Sequence, residues 1–271
     1  MHHFRQFLPT TILVFVFTAL AWTAVMAQQE KPIPQRLSFI IVGTRPEVTF
    51  EKRGDLYIEV DAPVHTIPPT QINILEGKQD GESSDAVLAT LPASLNEVVH
   101  HDDYQGGRSL RLALKRPIVA NGAAADIEVT CDVGESPAPL IVIFPENPSR
   151  GWESPVVRVF DVSAATLPAN AVLCVNLSRA TLGARIGTSS GAIAAGQNKV
   201  FALSAENAAT IPFRVDLLIS QGSIPLANTN YSKPSDSALV LLAFPLARVG
   251  PGNPPIALQF VPLPPMAAPK P

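Results

Sequence analysis

The sequence predicts an all-β protein built from two tandem β-sandwich domains. Apolar and polar residues alternate with a period of two wherever the chain is periodic, which is the pattern of strands with one buried face. Proline provides 27 of 271 residues, about twice the usual share of roughly 5%, and it recurs between short apolar runs where it prevents long helices. Short internal matches about one hundred residues apart, a normal size for a sandwich, indicate two domains of the same kind.

The first 27 residues have the pattern of a signal peptide that is cleaved after Ala27. Arg5 supplies a positive charge, Ile12–Ala21 forms an apolar core, and Val25–Ala27 provides a cleavage motif. The apolar core is too short to span a bilayer of about 30 Å. We therefore expect an exported protein, periplasmic or extracellular, whose mature chain has no membrane span.

The predicted strands follow the signal peptide along the whole chain. Leu56–Asp61 alternates, with Leu56, Ile58 and Val60 on one side, and this apolar side is expected to face a core. Leu140–Phe144 and Leu239–Phe244 are apolar on both faces, as expected of central strands in a packed sandwich. The other predicted strands are Ser38–Val42, Gln71–Leu75, Arg108–Lys115, Ala125–Val133, Val156–Val162, Lys199–Leu203, Phe213–Ile219 and Ile256–Val261.

Three pairs of short segments indicate that the chain repeats itself. Each match is weak by itself, but two of them lie close to the same offset. The matched pairs are Leu140–Pro145 with Val240–Pro245, Ala93–Val98 with Ala195–Val200, and Ile58–Asp61 with Leu173–Asn176. The repeat supports two homologous, immunoglobulin-like sandwiches.

A stretch rich in Pro and Gly separates the two halves and is typical of a linker. The carboxyl end is also rich in proline, which favours an extended and mobile tail. The predicted organisation is a first sandwich over residues 28–145, a linker over 146–155, a second sandwich over 156–261 and the tail over 262–271.

The two cysteines, Cys131 and Cys174, are expected in strands. Cys131 falls on the apolar side of its strand, whereas Cys174 falls on the face opposite Leu173 and Val175. These faces differ in character, which favours two separate thiols, although an oxidising compartment leaves a disulfide open.

One resemblance supports the predicted fold. The segments Arg158–Val162, Val175–Ser178 and Gly183–Gly187 resemble a pattern that recurs in uncharacterised exported bacterial proteins with tandem β domains. The resemblance covers mainly residues 156–245. It implies the same architecture, and it carries no activity, cofactor or site residue over to this chain.

The densest group of possible metal ligands is His100, His101, Asp102 and Asp103. Imidazole and carboxylate groups bind zinc and similar ions. However, adjacent residues of a strand point to opposite faces, so a contiguous run rarely converges on one ion. We therefore interpret the group as the polar end of a hairpin, expect no cofactor, and keep the four residues as weak metal candidates.

Two further residues are candidates for function. Ser189 lies in a Gly-x-Ser-x-Gly motif, but the motif of serine hydrolases requires a following helix and a later histidine, and His101 is the last histidine. Trp152 is expected to pack in the crevice between the domains, with a ligand platform as the weaker alternative. We therefore predict no catalytic residue.

These observations favour a non-catalytic structural or interaction protein of the envelope or extracellular space, with an unknown protein or glycan as its partner. The formal net charge of −3 makes nucleic acid an unsuitable partner. One alternative is a carbohydrate-binding module, which predicts exposed aromatic residues near Trp152, Tyr104 or Tyr231. The other is a two-domain immunoglobulin-like assembly chaperone that lends a strand to its clients.

Overall fold

The structure is a computed structural model that describes residues 35–76, 86–117, 126–204, 209–234, 237–247 and 255–264. Within these ranges the chain forms β-strands joined by turns and two short 3₁₀ helices. The predicted signal peptide lies outside the described residues. The elements are β1 (Gln35–Ile41), β2 (Thr49–Arg53), β3 (Leu56–Val60), η1 (Val64–Thr66), β4 (Gln71–Leu75), β5 (Val87–Pro92), β6 (Val98–Tyr104), β7 (Ser109–Lys115), β8 (Ile127–Asp132), β9 (Pro139–Pro145), η2 (Pro148–Arg150), β10 (Pro155–Asp161), β11 (Ala171–Asn176), β12 (Leu182–Ile186), β13 (Ser189–Ile193), β14 (Asn198–Ala202), β15 (Thr210–Ile219), β16 (Gly222–Ser232), β17 (Ala238–Pro245) and β18 (Ile256–Leu263).

Two four-stranded sheets form the first sandwich. The first inner sheet has the order β10-β9-β1-β6, and the first outer sheet has the order β5-β4-β7-β8. Alternate side chains of β1, such as Leu37 and Phe39, pack against Ile72, Ile74 and Leu112 of the outer sheet. The alternation in the sequence therefore follows from a core that lies between the two sheets.

The second sandwich has the same topology as the first. Its inner sheet has the order β14-β11-β17-β18, and its outer sheet has the order β13-β12-β15-β16. Each position matches a strand of the first sandwich, including the parallel pairs β1 with β9 and β11 with β17. The prediction of an all-β protein made of β-sandwiches is confirmed.

The register of the parallel pairs aligns the two repeats. Leu140 of β9 lies opposite Ser38, and Val240 of β17 lies opposite Leu173. Leu140 and Val240 are the matched positions of β9 and β17, so their partners Ser38 and Leu173 are equivalent. Strand β1 is therefore the counterpart of β11. The predicted match between Ile58–Asp61 and β11 is wrong, because it compares two strands that occupy different places in the fold.

The two inner sheets pack on each other and create a third core between the sandwiches. Leu140 and Val142 of β9 and Val240 and Leu242 of β17 belong to this core, and their neighbours along each strand face the sandwich interiors. The two middle strands of each inner sheet thus have a packed layer on both faces. This arrangement explains why β9 and β17 are apolar on both faces.

The segment predicted as a linker lies within the first sandwich. Residues 146–155 connect β9 to β10, and these strands are antiparallel neighbours in the first inner sheet. The chain reaches the second sandwich after β10, through residues 162–170. At the other end, Pro262 and Leu263, which were assigned to the tail, belong to β18, and residues 265–271 lie outside the described part.

Strand β3 differs from its predicted environment. Leu56 and Ile58 were expected to face a core, but β2 and β3 form a two-stranded sheet of their own, and Leu56 is 69% exposed. The alternation is real, but within the described part of the chain no second layer covers either face of the hairpin. Among the described residues, no helix is both long and apolar enough to cross a membrane.

Candidate binding site: a hairpin and the cleft at its base

The first repeat contains a segment that its duplicate lacks. Residues 42–70 connect β1 to β4, whereas residues 177–181 connect the equivalent strands β11 and β12. We call residues 42–70 the insertion, and β2 with β3 the hairpin. The two sandwiches otherwise match strand for strand, so the second sandwich forms the same strand order without such a segment.

The beginning of the insertion is fixed by two hydrogen bonds between Gly43 and Asn96. The Gly43 N–H donates to Asn96 Oδ1 at 3.2 Å, and Asn96 Nδ2 donates to the Gly43 carbonyl at 3.1 Å. A Cβ atom at Gly43 would lie 3.2 Å from the ring of Trp152. Glycine at this position therefore lets the chain leave β1 close to the indole.

The end of the insertion is fixed to the loop between β9 and β10. The Trp152 N–H donates to the carbonyl of His65 at 2.6 Å, and Arg116 Nη1 donates to the carbonyl of Val64 at 3.3 Å. Gly151 has φ of 63°, and a Cβ atom there would clash with the carbonyl oxygen of His65. This close approach explains the need for glycine before Trp152.

A cleft of about 490 Å³ opens between the insertion and the Phe-Pro ends of β9 and β17. Both sandwiches and the insertion contribute to its walls, so it is the place where the two repeats and the added segment meet. The lining includes Phe144, Pro145, Trp152, Phe244 and Pro245. Threonine side chains and the ionisable residues Arg45 and Glu47 add polar groups at the insertion side.

Trp152 supports the cleft and belongs to the core of the first sandwich. Its side chain is 2% exposed and packs among the residues between the first inner sheet and the first outer sheet. It also borders the cleft beside Phe144 and Phe244, which lie in different sandwiches. The indole is therefore a packing residue that shapes the cleft wall, and its buried face is not a platform for a ligand.

The hairpin is the most exposed apolar element among the described strands. Tyr57 is 72% exposed and Phe50 is 59% exposed, and Leu56 and Ile58 are exposed as well. Gly54, with φ of 64°, provides the left-handed residue of the tight turn. Charged residues surround the turn, namely Lys52, Arg53 and Asp55. The apolar side chains thus lie along the hairpin, behind a charged tip.

The four metal candidates lie on one strand and turn to different partners. His100 Nδ1 is 2.9 Å from Ser38 Oγ, and Asp102 Oδ1 is 3.1 Å from Arg36 Nε. His101 pairs with Leu37, and Asp103 has φ of 61° at a bulge. In the described ranges no three His, Cys, Asp or Glu side chains come together as a metal site requires. The interpretation of this group as the polar end of a hairpin is wrong, because the residues form the edge strand β6 and the next strand, β7, lies in the other sheet.

Sequence reasoning missed the Ser38–His100 pair. The two residues lie directly opposite each other in β1 and β6, at one end of the core between the inner sheets. They border a pocket of about 130 Å³ that is otherwise lined by apolar residues such as Leu167 and Leu263, with Arg36 nearby. A serine in an apolar strand was the available signal, and the hydrogen bond satisfies its hydroxyl group.

Ser189 begins a strand, not a helix. Its Oγ donates to the carbonyl of Ala202 at 3.1 Å, and the residue starts β13, which pairs with β12. The sharp turn from strand to helix that exposes a nucleophilic serine is therefore not formed at this motif. The insertion and its cleft were missed for a different reason. The incorrect match of Ile58–Asp61 with Leu173–Asn176 concealed the fact that residues 42–70 have no counterpart in the second repeat.

Comparison with known proteins gave weak structural similarities. No family model matches the sequence, and no curated protein matches it. Among solved structures, the chain is similar to the two tandem C2 domains of Extended-Synaptotagmin 2, with 15% identity, a TM-score of 0.23, and coverage of 80% of this chain and 95% of that one. A second similar structure, a longer piece of Extended-Synaptotagmin 2 that adds the SMP domain to the same C2 domains, has 14% identity, a TM-score of 0.22 and coverage of 93% and 64%, so the chain spans less than two thirds of its length. At these TM-scores the likeness carries no argument about function.

Proposed function

We propose that this chain is an exported, non-catalytic binding protein that contacts a protein partner of the cell envelope or extracellular space through the hairpin and the adjoining cleft. One observation carries the proposal. The insertion occurs in one of two matching sandwiches, is held to the scaffold at both ends, and displays Phe50, Leu56 and Tyr57 to solvent. Apolar side chains that remain exposed on a folded protein mark interaction sites, and here Phe50 and Tyr57 lie on one face of the hairpin and Leu56 on the other.

The isolation of the hairpin supports the same conclusion. β2 pairs with β3, and a two-stranded hairpin without a covering layer is marginally stable in water. A partner that covers one face would bury Tyr57 with Phe50, or Leu56 with Ile58, and would stabilise the hairpin at the same time. Contact with a partner therefore gives a physical reason for the exposed apolar side chains of the hairpin, which do not pack against either sandwich.

The chemistry of the cleft suits a polypeptide better than a reaction. Its walls combine aromatic rings and prolines with a few hydroxyl groups, which fits an extended peptide carrying apolar side chains. Arg45 and Glu47 are the ionisable groups among the described residues of the lining.

The carbohydrate alternative loses its support. It predicts that aromatic rings near Trp152, Tyr104 or Tyr231 are exposed together, but Trp152 and Tyr104 are buried. The ring of Tyr231 stacks on Phe260 with 4.3 Å between the centroids. The rings lie in different parts of the two sandwiches, so they do not form a platform for a sugar. The assembly-chaperone alternative stays a prediction.

The proposal is tested by photo-cross-linking from the hairpin in the native envelope. A photo-reactive phenylalanine analogue replaces Tyr57 in one protein and Leu88 in a control, because Leu88 of β5 is also exposed, at 54%. We expect position 57 to give a cross-linked species of defined mass that position 88 does not give. Identical products from both positions would reject the hairpin as the contact element.

A trimmed protein provides the complementary test. Thr49 and Val60 are cross-strand partners, so an Asn-Gly turn that replaces residues 50–59 joins them without moving the scaffold. We expect this protein to keep its thermal stability and to lose the partner that chemical cross-linking captures with the intact protein. A folded, trimmed protein that still captures the same partner would contradict the proposal.

A further inference from the structure

The outer edge of β3 is open. Among the described strands β3 pairs with β2 alone, so one row of its backbone N–H and C=O groups has no strand beside it. The two edges of the hairpin differ in chemistry. β2 carries Glu51, Lys52 and Arg53 in five residues, which is the kind of charged edge that discourages pairing. β3 carries one charge, Glu59, among apolar residues.

The geometry of the turn shows which groups of β3 face outward. Arg53 and Leu56 close the two-residue turn, and in a hairpin of this type the residues that flank the turn bond to each other. Hydrogen-bonded and non-hydrogen-bonded pairs then alternate along the ribbon. The backbone groups of Leu56, Ile58 and Val60 therefore point towards β2, and those of Tyr57 and Glu59 point to the open edge.

We propose that a second copy of this chain pairs with the open edge, antiparallel and with Ile58 opposite Ile58 of the other copy. In this register Leu56 lies opposite Val60, and Tyr57 lies opposite Glu59. Each outward backbone group of Tyr57 thus meets one of Glu59, and the tyrosine hydroxyl and the carboxylate lie on the same face. No like charges lie opposite each other, because Glu59 is matched with a neutral side chain.

The side chains of β3 suit this self-pairing. Leu56, Ile58 and Val60 share one face, so two copies bring six apolar side chains together in the central strands of a four-stranded sheet. The charged residues of β2 lie on the outer strands of that sheet. A register centred on Glu59 would instead oppose two carboxylates, and one centred on Lys52 of β2 would oppose two ammonium groups.

A lipid surface fits the hairpin less well than a second copy of the chain. The tip, which would enter the membrane first, contains Lys52, Arg53 and Asp55, and burying these charges is unfavourable.

The edge of β3 that pairs with the second copy is short. Five residues a side are far fewer than the roughly 20–30 residues a side of a stable interface, so the self-association depends on concentration.

The test is disulfide trapping at the centre of the proposed pair. Directly opposed residues of a non-hydrogen-bonded pair have Cα atoms about 4.5 Å apart, which is within the range for a disulfide. Ile58→Cys should therefore form a covalent dimer on mild oxidation at least tenfold faster than Leu88→Cys, which is similarly exposed on β5. Equal rates for the two variants would overturn the proposal.

Sedimentation of the protein without added cysteines provides a second measurement. We expect the average mass to rise from one chain towards two as concentration increases, and Ile58→Lys to remain at one chain because two ammonium groups would oppose each other. Val87→Lys, an exposed position on β5, should behave like the unmodified protein. A single-chain mass for the unmodified protein at every concentration would also overturn the proposal.

This inference rests on the proposed function, since both use the hairpin as the contact element, but the two fail separately. If Ile58→Cys does not dimerise while trimming residues 50–59 still removes the captured partner, the self-pairing is wrong and the binding function stands. If Ile58→Cys dimerises while trimming leaves the captured partner unchanged, the self-pairing stands and the binding function is wrong.

Discussion

Asn96 and Gly196 occupy the same place in the two repeats, and both have a left-handed backbone, with φ of 65° and 69°. Each lies in the turn before the edge strand of an inner sheet, before β6 in one repeat and before β14 in the other. The structural offset is one hundred residues, so the sequence match of Ala93–Val98 with Ala195–Val200 is two positions out of register. The duplicated turn keeps its conformation with two residue types that both tolerate it.

The first prediction concerns this backbone conformation. Gly196→Ala should lower the free energy of unfolding by about 1 kcal/mol, because alanine is strained in a left-handed backbone. A Cβ atom at this position would lie 3.6 Å from Arg158 Nη2, an ordinary contact, so strain alone is measured. Urea unfolding tests the change, and Gly196→Asn should lose less than half as much. Equal losses for the two variants would show that the conformation is not the cause.

The second prediction concerns the end of the insertion. Gly151→Ala should lower the free energy of unfolding by about 2–4 kcal/mol, because it combines backbone strain with a clash against the His65 carbonyl. Gly107→Ala is the matched control, since a Cβ atom there meets nothing within 4 Å. Thermal unfolding of the two variants compares them. A Gly151→Ala protein as stable as the control would mean that the insertion is not held at this point.

The third prediction concerns pH. Burial of the imidazole, with Arg36 nearby, lowers the pKa of His100 below its ordinary value of 6.5, although Asp102 acts in the opposite direction. The unfolded chain therefore binds this proton more readily than the folded protein, and stability falls as the pH drops below about 6.5. In His100→Gln the free energy of unfolding should change less between about pH 5 and 7. Guanidinium unfolding across this range measures the difference, with His101→Gln as the control on the opposite face of β6. A slope as steep as that of the unmodified protein would contradict the prediction.

The fourth prediction concerns the cysteines. Cys131 packs against the core of the first sandwich and Cys174 lies in the core of the second, and both are free thiols. Burial raises the pKa of Cys131 to about 11 and that of Cys174 to about 12, so the reactive thiolate is scarce at about pH 8. A thiol reagent should label the native protein slowly and should titrate two thiols per chain after unfolding without reductant. Fewer than two would indicate a disulfide.

The sequence was sufficient to predict the fold where burial imposes a pattern. β9 and β17 were recognised because packed layers on both sides require an unbroken apolar run, and β15 was recognised because one buried face requires alternation. β3 shows the limit of this reasoning. Its alternation is as clear as that of β15, but the pattern does not reveal whether a second layer exists to cover it.

The candidate site was harder to predict for a physical reason. The cleft is formed by the ends of two strands and by an insertion, and its lining residues are dispersed along the chain. Prolines and glycines in these segments are typical of linkers and turns, and residues 146–155 were assigned to a linker for this reason. β6 was missed because an edge strand, with an open side, accepts the polar residues His100 and Asp102 that an interior strand does not.

The shared core between the inner sheets has a consequence for how the molecule comes apart. Cutting the chain after β10 would leave Val142 and Phe144 without the layer that covers them, and the remaining half would expose Val240 and Leu242. Neither half is then a soluble product, so we expect one cooperative transition on heating instead of two. We therefore expect the smallest cooperative unit to be the duplicated pair, twice the length of the repeat.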